Sequence, residues 1–173
     1  MINTNTNFKI SLLIKIIIIY FLIFFKSSAE NINENANKVY IGSEDAVVKI
    51  KVFSSATCPH CASFHNDVIP KIKKEYVDTG KVQLIFIDFP LDLAAFNAAK
   101  ALHCLDKKEQ IKFLDIIYET QSEWTKGSDI DQINNNLKKI VKNLGISSDQ
   151  FDKCMINEVI SDKILNGRIN GQS

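Results

Sequence analysis

The chain has 173 residues, of which 46% are hydrophobic and 24% are charged, and its formal net charge is +1. This length fits one domain, and the composition is ordinary for a globular protein. The small net charge argues against a strongly basic surface for nucleic acid or for an acidic membrane, so we expect no nucleic-acid partner. Four cysteines are too few to act as a disulfide scaffold.

The N-terminus has the layout of an export signal. Lys9 precedes an almost wholly apolar stretch at 10–25, interrupted by Lys15, and three small residues end at Ala29. The longest uninterrupted apolar run is shorter than the ~20 residues that a membrane-spanning helix needs. We therefore predict a secretory signal at 1–29, cleaved after Ala29, with an uncleaved membrane anchor as the alternative. Either way the remainder is exported into an oxidising compartment, where disulfides persist.

A strand, a helix and a second strand follow a polar linker at 30–38. The segment 46–53 carries β-branched residues in partial alternation, which predicts a strand. Pro59 suits the first turn of a helix, and that helix is predicted to run to about residue 76. The largely apolar segment 81–89 predicts the second strand. Together these elements indicate a right-handed βαβ unit with a buried parallel pair.

The predicted helix after Pro59 carries apolar residues four positions apart. Phe64, Val68, Ile72 and Tyr76 are expected to form one stripe that faces the core. Pro70 lies inside this helix and predicts a kink, because proline cannot donate the helical hydrogen bond.

The chain after Pro90 is predicted to be helical throughout. Four helices are predicted there, at 93–105, 108–124, 128–145 and 147–165. Ser128 is expected to begin the third helix and Gly145 to end it, while a serine also caps the fourth. The apolar residues at helical spacing are interpreted as core rather than as a ligand pocket. They are Ile111, Leu114, Ile117, Tyr118, Trp124, Ile130, Ile133, Leu137, Ile140, Leu144, Phe151, Cys154 and Met155.

The sequence Cys-Pro-His-Cys, with Cys58 and Cys61 at its ends, is the candidate functional motif. A c-type haem site requires histidine directly after the second cysteine, where this chain has Ala62. A zinc site requires about four ligands, and His65 would supply only a third. A purely structural disulfide between Cys58 and Cys61 would close a very small loop and so would stabilise the fold little. Redox exchange fits each part of the motif, and it requires no metal or cofactor.

The position of the motif predicts different roles for its residues. Cys58 falls at the N-terminus of the predicted helix, where unpaired N–H groups and the helix dipole favour a thiolate. His60, when protonated, would add a positive charge and a hydrogen-bond donor. Cys61 lies one turn further on and is placed to attack a mixed disulfide at Cys58. We therefore predict Cys58 as the nucleophile, Cys61 as the resolving thiol and His60 as the residue that tunes the pKa of Cys58. A stabilised thiolate would make the disulfide form a strong oxidant.

This motif, placed on a strand, turn and helix and followed by a helical insertion after Asp-Phe-Pro-Leu, resembles the DsbA-like thiol:disulfide oxidoreductases of the thioredoxin superfamily. The resemblance runs from about residue 40 to about residue 167. It implies an α/β, thioredoxin-like fold, with an N-terminal βαβ part at 39–91, a helical insertion at 92–166 and a short tail at 167–173. It also implies a periplasmic role in forming disulfides in reduced exported proteins, with reoxidation by a membrane quinone-linked partner.

Cys104 and Cys154 each lie in a predicted helix of the insertion. Unbridged, they would be buried thiols of the core. Some members of the resembled family carry a second, non-catalytic disulfide in this place, which implies a structural bond between Cys104 and Cys154 in an oxidising compartment. It would close a loop of about 50 residues and stabilise the fold by about 4 kcal/mol. The histidines His65 and His103 are expected to lie on helix surfaces or to pack, rather than to bind a ligand.

Two features depart from the resembled family. That family often has a buried acid six residues before the first cysteine, where this chain has Val52, so deprotonation of Cys61 must use water or another base. The family also continues beyond the insertion, whereas none of Pro59, Pro70 and Pro90 follows it here. We expect a shortened fold that lacks the C-terminal cis-proline loop, the last two strands and the final helix, and whose parallel pair has no antiparallel partner. The alternatives to an active oxidoreductase are therefore an inactive truncated remnant and an exported helical interaction module.

Overall fold

The structure, a computed structural model, describes residues 38–172. The signal predicted at 1–29 and almost all of the linker lie outside this part. Its strands are β1 (Val39–Ile41), β2 (Val48–Ser54) and β3 (Val82–Asp88). Its α-helices are α1 (Pro59–Ser63), α2 (Ile69–Ile72), α3 (Leu93–Cys104), α4 (Lys107–Glu119), α5 (Gln121–Trp124), α6 (Ile130–Asn143), α7 (Ser148–Met155) and α8 (Glu158–Asn170). None of these helices is long and apolar enough to cross a membrane.

The three strands form one sheet with β3 in the middle, in the order β1, β3, β2. The parallel pair β2 and β3 confirms the predicted βαβ unit, and its register places Ser54 opposite Asp88. Strand β1 pairs antiparallel with β3, with Val39 opposite Phe86. The prediction that the parallel pair has no antiparallel partner is therefore wrong. Three residues are too few to show strand periodicity, so the sequence does not indicate β1.

A glycine turn leads the chain out of β1. Gly42 has a φ of +98°, which L-residues with a side chain rarely adopt. A Cβ atom at this position would lie 2.6 Å from the carbonyl oxygen of Val82. Both constraints require glycine, which lets the chain pass close to β3 before it returns as β2.

The helix that follows Pro59 changes its hydrogen-bond pattern twice. After α1 comes a π-helical turn at Phe64–Val68, then α2, then a second π-helical turn at Lys73–Val77. In the first of these turns the N–H of Ile69 donates to the carbonyl of Phe64, five residues back. The change precedes Pro70, which has no N–H with which to continue the α-helical ladder.

The predicted apolar stripe of this helix is confirmed only in part, because Ile72 packs against the core whereas the two ends of the stripe are exposed. The side chains of Phe64 and Tyr76 are 37% and 46% exposed. An exact four-residue spacing rotates by about 40° per step around an α-helix, and the two π-helical turns shift the phase again. The residues that the helix buries are Ala62, His65, Ile69 and Val77.

The four helices predicted in the insertion become six. The helix predicted at 108–124 divides at Thr120, whose hydroxyl donates to the carbonyl of Ile116 at 2.7 Å. The helix predicted at 147–165 divides before Asn157, whose side chain accepts from the N–H of Ile160 and caps α8. Short polar side chains of this kind compete with the helical backbone and so favour helix ends. Helix α8 continues to Asn170 and thus includes residues that the sequence predicts as a tail.

Side-chain caps also begin three further helices of the insertion, besides α8 with its cap at Asn157. Asp92 accepts from the N–H of Ala95 at the start of α3. Asp129, rather than the predicted Ser128, caps α6, because its carboxylate is the group that accepts from the N–H of Gln132. Ser147 caps α7 with a full capping box. At the other end of α6, Gly145 has a φ of +94° and ends the helix as predicted.

The core lies between β3 and the insertion. Strand β3 is buried over most of its length, whereas Val48 and Phe53 of the edge strand β2 are 49% and 40% exposed. A disulfide between Cys104 at the end of α3 and Cys154 in α7 closes the insertion, with a Cα–Cα distance of 6.2 Å. The largest fully buried side chains are Phe113, Phe151, Leu84, Ile117, Leu137, Ile164 and Val141.

Removing the disulfide is expected to destabilise the protein. In a Cys104→Ala/Cys154→Ala variant the free energy of unfolding should fall by about 2–4 kcal/mol, because the unfolded chain regains the entropy of a 50-residue loop. Urea denaturation of both proteins measures the difference.

The matched control is Cys58→Ser/Cys61→Ser, which also removes two sulfurs. With the Cys104–Cys154 bond intact in both proteins, this variant should unfold within about 1 kcal/mol of a parent whose Cys58 and Cys61 are thiols. Intact-mass analysis after alkylation without reductant provides a second check, since labels on Cys104 and Cys154 would contradict the bond.

Candidate functional site

Cys58 lies at the junction between β2 and α1. It is the N-cap residue of α1, and Pro59 follows in the first turn, as the sequence predicts. The N–H of Cys58 donates to the carbonyl of Ser55 at 3.1 Å, and the carbonyl of Cys58 accepts from the N–H of Ala62 at 3.1 Å. The turn and the first helical hydrogen bond therefore both fix this residue, and its side chain stands over the open N–H groups of the helix.

The local backbone stabilises a thiolate at Cys58. The N–H of Cys61 contributes most to lowering the pKa of Cys58, and the thiol of Cys61 and the N–H of His60 act in the same direction. Partial burial opposes them, but the pKa stays lowered. Hydrogen bonds to the charged form of a thiol favour that form, so Cys58 is the more acidic of the two cysteines.

The environment of Cys61 has the opposite effect. Burial is the main reason that the pKa of Cys61 is raised, and the negative charge of Cys58 adds to it. The N–H of Ser55 hydrogen-bonds to the sulfur of Cys61 and partly offsets the shift. This contact also places the sulfur against the end of β2. The two thiols are free and are held together at the start of one helix.

His60 lies between the two cysteines with an exposed side chain. Its backbone N–H is the part that contributes to the lowered pKa of Cys58. The effect of the imidazole on Cys58 therefore stays a prediction.

Side chains of the insertion hold the loop that precedes Cys58. The amide of Gln121 in α5 donates to the carbonyls of Ala56 and Cys58, at 2.8 and 3.1 Å. The hydroxyl of Thr57 donates to the carboxylate of Asp92 at 2.7 Å. Neither Gln121 nor Asp92 was predicted from the sequence as a partner of this loop. Aspartate before an Ala-rich helix could have indicated a cap at Asp92, but no local signal points to Gln121.

Helix α4 contacts the end of β2, four residues before Cys58, through Tyr118. The sequence predicts Tyr118 only as a core residue. Its hydroxyl donates to the hydroxyl of Ser54 at 2.9 Å. Its ring lies 4.7 Å from that of His65, whose Nε2 is 2.8 Å from the carboxylate of Asp115. Burial raises the pKa of Tyr118, so the phenol stays protonated and donates its hydrogen bond.

A second histidine lies at the same end of the sheet. His103 of α3 is half-buried, with its Nε2 2.6 Å from the carboxylate of Asp88 and its Nδ1 3.2 Å from the ammonium group of Lys163. Both His65 and His103 thus pack inside the protein beside a carboxylate. Over residues 38–172, no cluster of three histidine, cysteine or acidic side chains is placed to hold a metal ion.

The structure brings Cys58, His60 and Cys61 together and places Cys104 and Cys154 elsewhere, within the insertion.

A family model described as Thioredoxin matches residues 34–167. Among curated proteins, the "Probable disulfide bond formation protein D" of Bacillus anthracis is 35% identical over 129 residues, which cover 72% of this chain and 58% of that protein. A relative from Rickettsia bellii is 24% identical, with 49% of its length covered. The chain therefore spans about half the length of the curated relatives it matches.

Solved structures show the same likeness. Alpha-DsbA1 of Wolbachia pipientis is 32% identical and superposes with a TM-score of 0.65, covering 76% of this chain and 66% of that one. BdbD of Bacillus subtilis, at 22% identity and a TM-score of 0.69, shares the fold over 79% of this chain and 75% of its own. The thioredoxin-like fold with a helical insertion and the DsbA resemblance are thereby confirmed. The chain belongs to the thioredoxin family, in its DsbA-like branch.

Proposed function

We propose that this chain is an exported thiol:disulfide oxidoreductase that introduces disulfide bonds into reduced proteins through Cys58 and Cys61. The observation that carries the proposal is the opposite direction of the two pKa shifts. The pKa of Cys58 is lowered at a helix N-terminus, and burial raises the pKa of Cys61 one turn away. A stable Cys58 thiolate favours the reduced form, so the oxidised form readily passes its disulfide to a substrate.

The reaction proceeds by two thiolate attacks. A substrate thiolate attacks the sulfur of Cys58, the bond to Cys61 breaks, and Cys61 leaves with the electron pair and takes up a proton. A second substrate thiolate then attacks the substrate sulfur in the mixed disulfide, and Cys58 leaves as a thiolate. The substrate has lost two electrons, which the enzyme holds as a thiolate at Cys58 and a thiol at Cys61.

A groove beside the motif offers a place for the substrate chain. Its walls come from the loop before α1, the start of α3 and the helices α5 and α6, and Leu93 in it is 57% exposed. Apolar and hydroxyl groups together suit an extended polypeptide without a strict sequence requirement. Residues of the groove include Thr57, Pro59, Leu93, Ser122, Ile130 and Ile133.

The proposed location is the periplasm. The basic, apolar and small-residue order at 1–29 supports export with cleavage after Ala29. An oxidant that acts on exported proteins must be reoxidised there, and we propose a membrane quinone-linked partner for that step. The relatives named for disulfide bond formation support the assignment of reduced proteins as substrates.

Titration of Cys58 is expected below the ordinary thiol pKa of about 8.5. Folding lowers the pKa of Cys58, so the Cys58 thiolate stabilises the folded reduced protein. This contribution to the free energy of unfolding is complete above a pH of about 8.5, and it is lost as the pH falls through the lowered pKa. Thiolate absorbance of the reduced protein against pH measures the pKa of Cys58.

Two variants separate the contributions to this pKa. Cys61→Ala keeps the backbone N–H that contributes most, so the pKa of Cys58 should rise only partly. His60→Ala should raise it if the imidazole contributes, and an unchanged pKa would contradict the role predicted for His60.

Catalysis of disulfide formation is the direct test of function. The oxidised protein should oxidise a reduced, unfolded substrate protein, and Cys58→Ser should reduce the rate at least about 10³-fold because it removes the nucleophile. Cys61→Ser should likewise lose this activity, and its Cys58 thiolate, mixed with an excess of a disulfide-containing substrate, should attack that disulfide, release one substrate thiol and accumulate a mixed disulfide that intact mass detects. A well-folded protein in which Cys58→Ser changes nothing would favour the interaction module. Failure to unfold cooperatively would favour the inactive remnant.

Export predicts a defined N-terminus. Expressed in a Gram-negative host, the protein should be found in the periplasm with Glu30 as its first residue. N-terminal mass analysis measures the cleavage, and Ala29→Leu should block it because the cleavage site requires a small residue. A membrane-bound product that retains residues 1–29 would support the anchor instead.

A further inference from the structure

The groove beside the motif, proposed above as the place for the substrate chain, carries two charged side chains. They are Asp92 and Asp129, and no lysine, arginine or histidine is among the described residues that line the groove. Its volume of about 590 Å³ lies in the range of ligand pockets, roughly 300–1,000 Å³. The groove therefore presents negative charge without a cation of its own.

This groove adjoins the sulfur that the substrate attacks. Thr57 and Pro59, on either side of Cys58 in the chain, both line it. Gln121 lines it as well, and its side-chain amide donates to the carbonyl of Cys58 at 3.1 Å. A polypeptide whose cysteine reaches Cys58 therefore brings the residues next to that cysteine to the groove.

Both carboxylates are fixed in the groove wall, because each of them caps a helix. Asp92 accepts from the N–H of Ala95 at 2.8 Å and from the hydroxyl of Thr57 at 2.7 Å. Asp129 accepts from the N–H of Gln132 at 2.9 Å. Side chains that are already held in place lose little further conformational entropy when a charged partner binds.

The hydrogen bonds to these two carboxylates leave their charge unpaired. The described donors are all neutral, namely backbone N–H groups, hydroxyls and one side-chain amide. The N–H of Gln132 contributes most to lowering the pKa of Asp129, and the hydroxyl of Ser128 acts in the same direction. A helix N-terminus carries only about half a positive charge, so a full carboxylate at each helix start leaves an excess of negative charge.

Apolar side chains share the groove with the two aspartates. Leu93 follows Asp92 in the chain and is 57% exposed, and Ile130 follows Asp129 and is half-buried. Each of the two helix starts thus presents an acidic cap and an apolar residue side by side. This combination suits lysine and arginine, whose apolar stems lie on apolar surface while their charged ends meet a carboxylate.

We propose, building on the function proposed above, that this groove favours reduced substrate segments with a lysine or arginine next to the reacting cysteine, and that Asp129 and Asp92 select them. Opposite charges attract within a Debye length, roughly 8 Å at physiological ionic strength, so the aspartates raise the rate at which such segments meet Cys58. The selection is a preference in rate rather than a strict sequence requirement. Segments with an acidic residue in the same place react more slowly.

The test compares short dithiol peptides that differ in one residue beside a cysteine, which is lysine, glutamine or glutamate. Excess oxidised protein is mixed with each reduced peptide at low ionic strength, and the second-order rate constant of peptide oxidation is measured. Each constant is divided by that of the same peptide with a small uncharged disulfide, which removes the effect of the peptide's charge on its own thiol. The corrected rate for the lysine peptide should exceed that for the glutamate peptide about tenfold or more, and this ratio should shrink as salt is added.

Neutral caps at position 129 isolate the role of the charge. Asparagine and serine cap helices about as well as aspartate, so Asp129→Asn and Asp129→Ser should keep the start of α6. Both should lower the corrected lysine-to-glutamate ratio by about threefold or more, and to the same extent.

The matched control is Asp106→Asn, because Asp106 is the N-cap residue of α4 and lines a different cavity. It makes the same change in the net charge of the protein, and the corrected ratio should stay within about 1.5-fold of the parent's.

An unchanged ratio in both Asp129→Asn and Asp129→Ser would overturn the proposal, and so would a corrected ratio near one in the parent. An equal fall in Asp106→Asn would also overturn it, because the preference would then come from the net charge of the protein rather than from the groove. If the oxidised protein oxidises none of the three peptides, the proposed function fails and this inference fails with it. The two failures are distinguishable, because equal rates for the three peptides leave the oxidation itself intact.

Discussion

The contact between Gln121 and the loop before Cys58 is the interaction on which the site depends. The side-chain amide of Gln121 donates to the carbonyl of Ala56 and adds a second hydrogen bond to the carbonyl of Cys58, which already accepts from the N–H of Ala62. An unpaired carbonyl at Ala56 in this partly buried loop would cost about 1–3 kcal/mol. The bond from Thr57 to Asp92 anchors the same loop to the start of α3. The helical insertion thus sets the position of the N-terminus of α1, and with it the N–H groups that stabilise the Cys58 thiolate.

The same placement shifts the pKa values of the two cysteines in opposite directions. Helix geometry puts Cys58 outside the first turn, within reach of open N–H groups, and puts Cys61 one turn inside, against the end of β2. The difference therefore arises from backbone direction and burial rather than from a charged side chain. The shift in Cys58 comes from backbone N–H groups and the thiol of Cys61. A change in His60 can adjust that balance, but the helix start provides its basis.

Parallel strands end at the same edge of a sheet, and here that edge collects the polar groups around the motif. Ser54 and Asp88 are direct neighbours in register, and Tyr118 and His103 reach them from two different helices of the insertion. The surrounding core is apolar, so each polar group needs a partner from another element. Among the described residues, no buried side-chain nitrogen or oxygen is without a hydrogen-bond partner. The insertion accordingly does more than cover the sheet, because it also supplies the hydroxyl and imidazole groups at the end of its parallel pair.

The sequence by itself determined the features that depend on neighbours in the chain. Cys58 before Pro59 predicted a helix start with a reactive thiol, because the preference of proline for the first helical turn depends only on its own backbone geometry. The strand at 46–53 and the helical insertion were also predictable from the spacing of their apolar residues, and the strand at 81–89 from its short apolar run. The tertiary structure alone decided which residues meet. The two ends of the predicted stripe, Phe64 and Tyr76, lie outward because π-helical turns change the phase of the helix. Strand β1 was too short to leave a pattern. Asp88 and His103 lie 15 positions apart on different elements. Only the register of β3 against β2, and the packing of α3 over it, bring them together, because contacts between elements depend on the fold rather than on spacing along the chain.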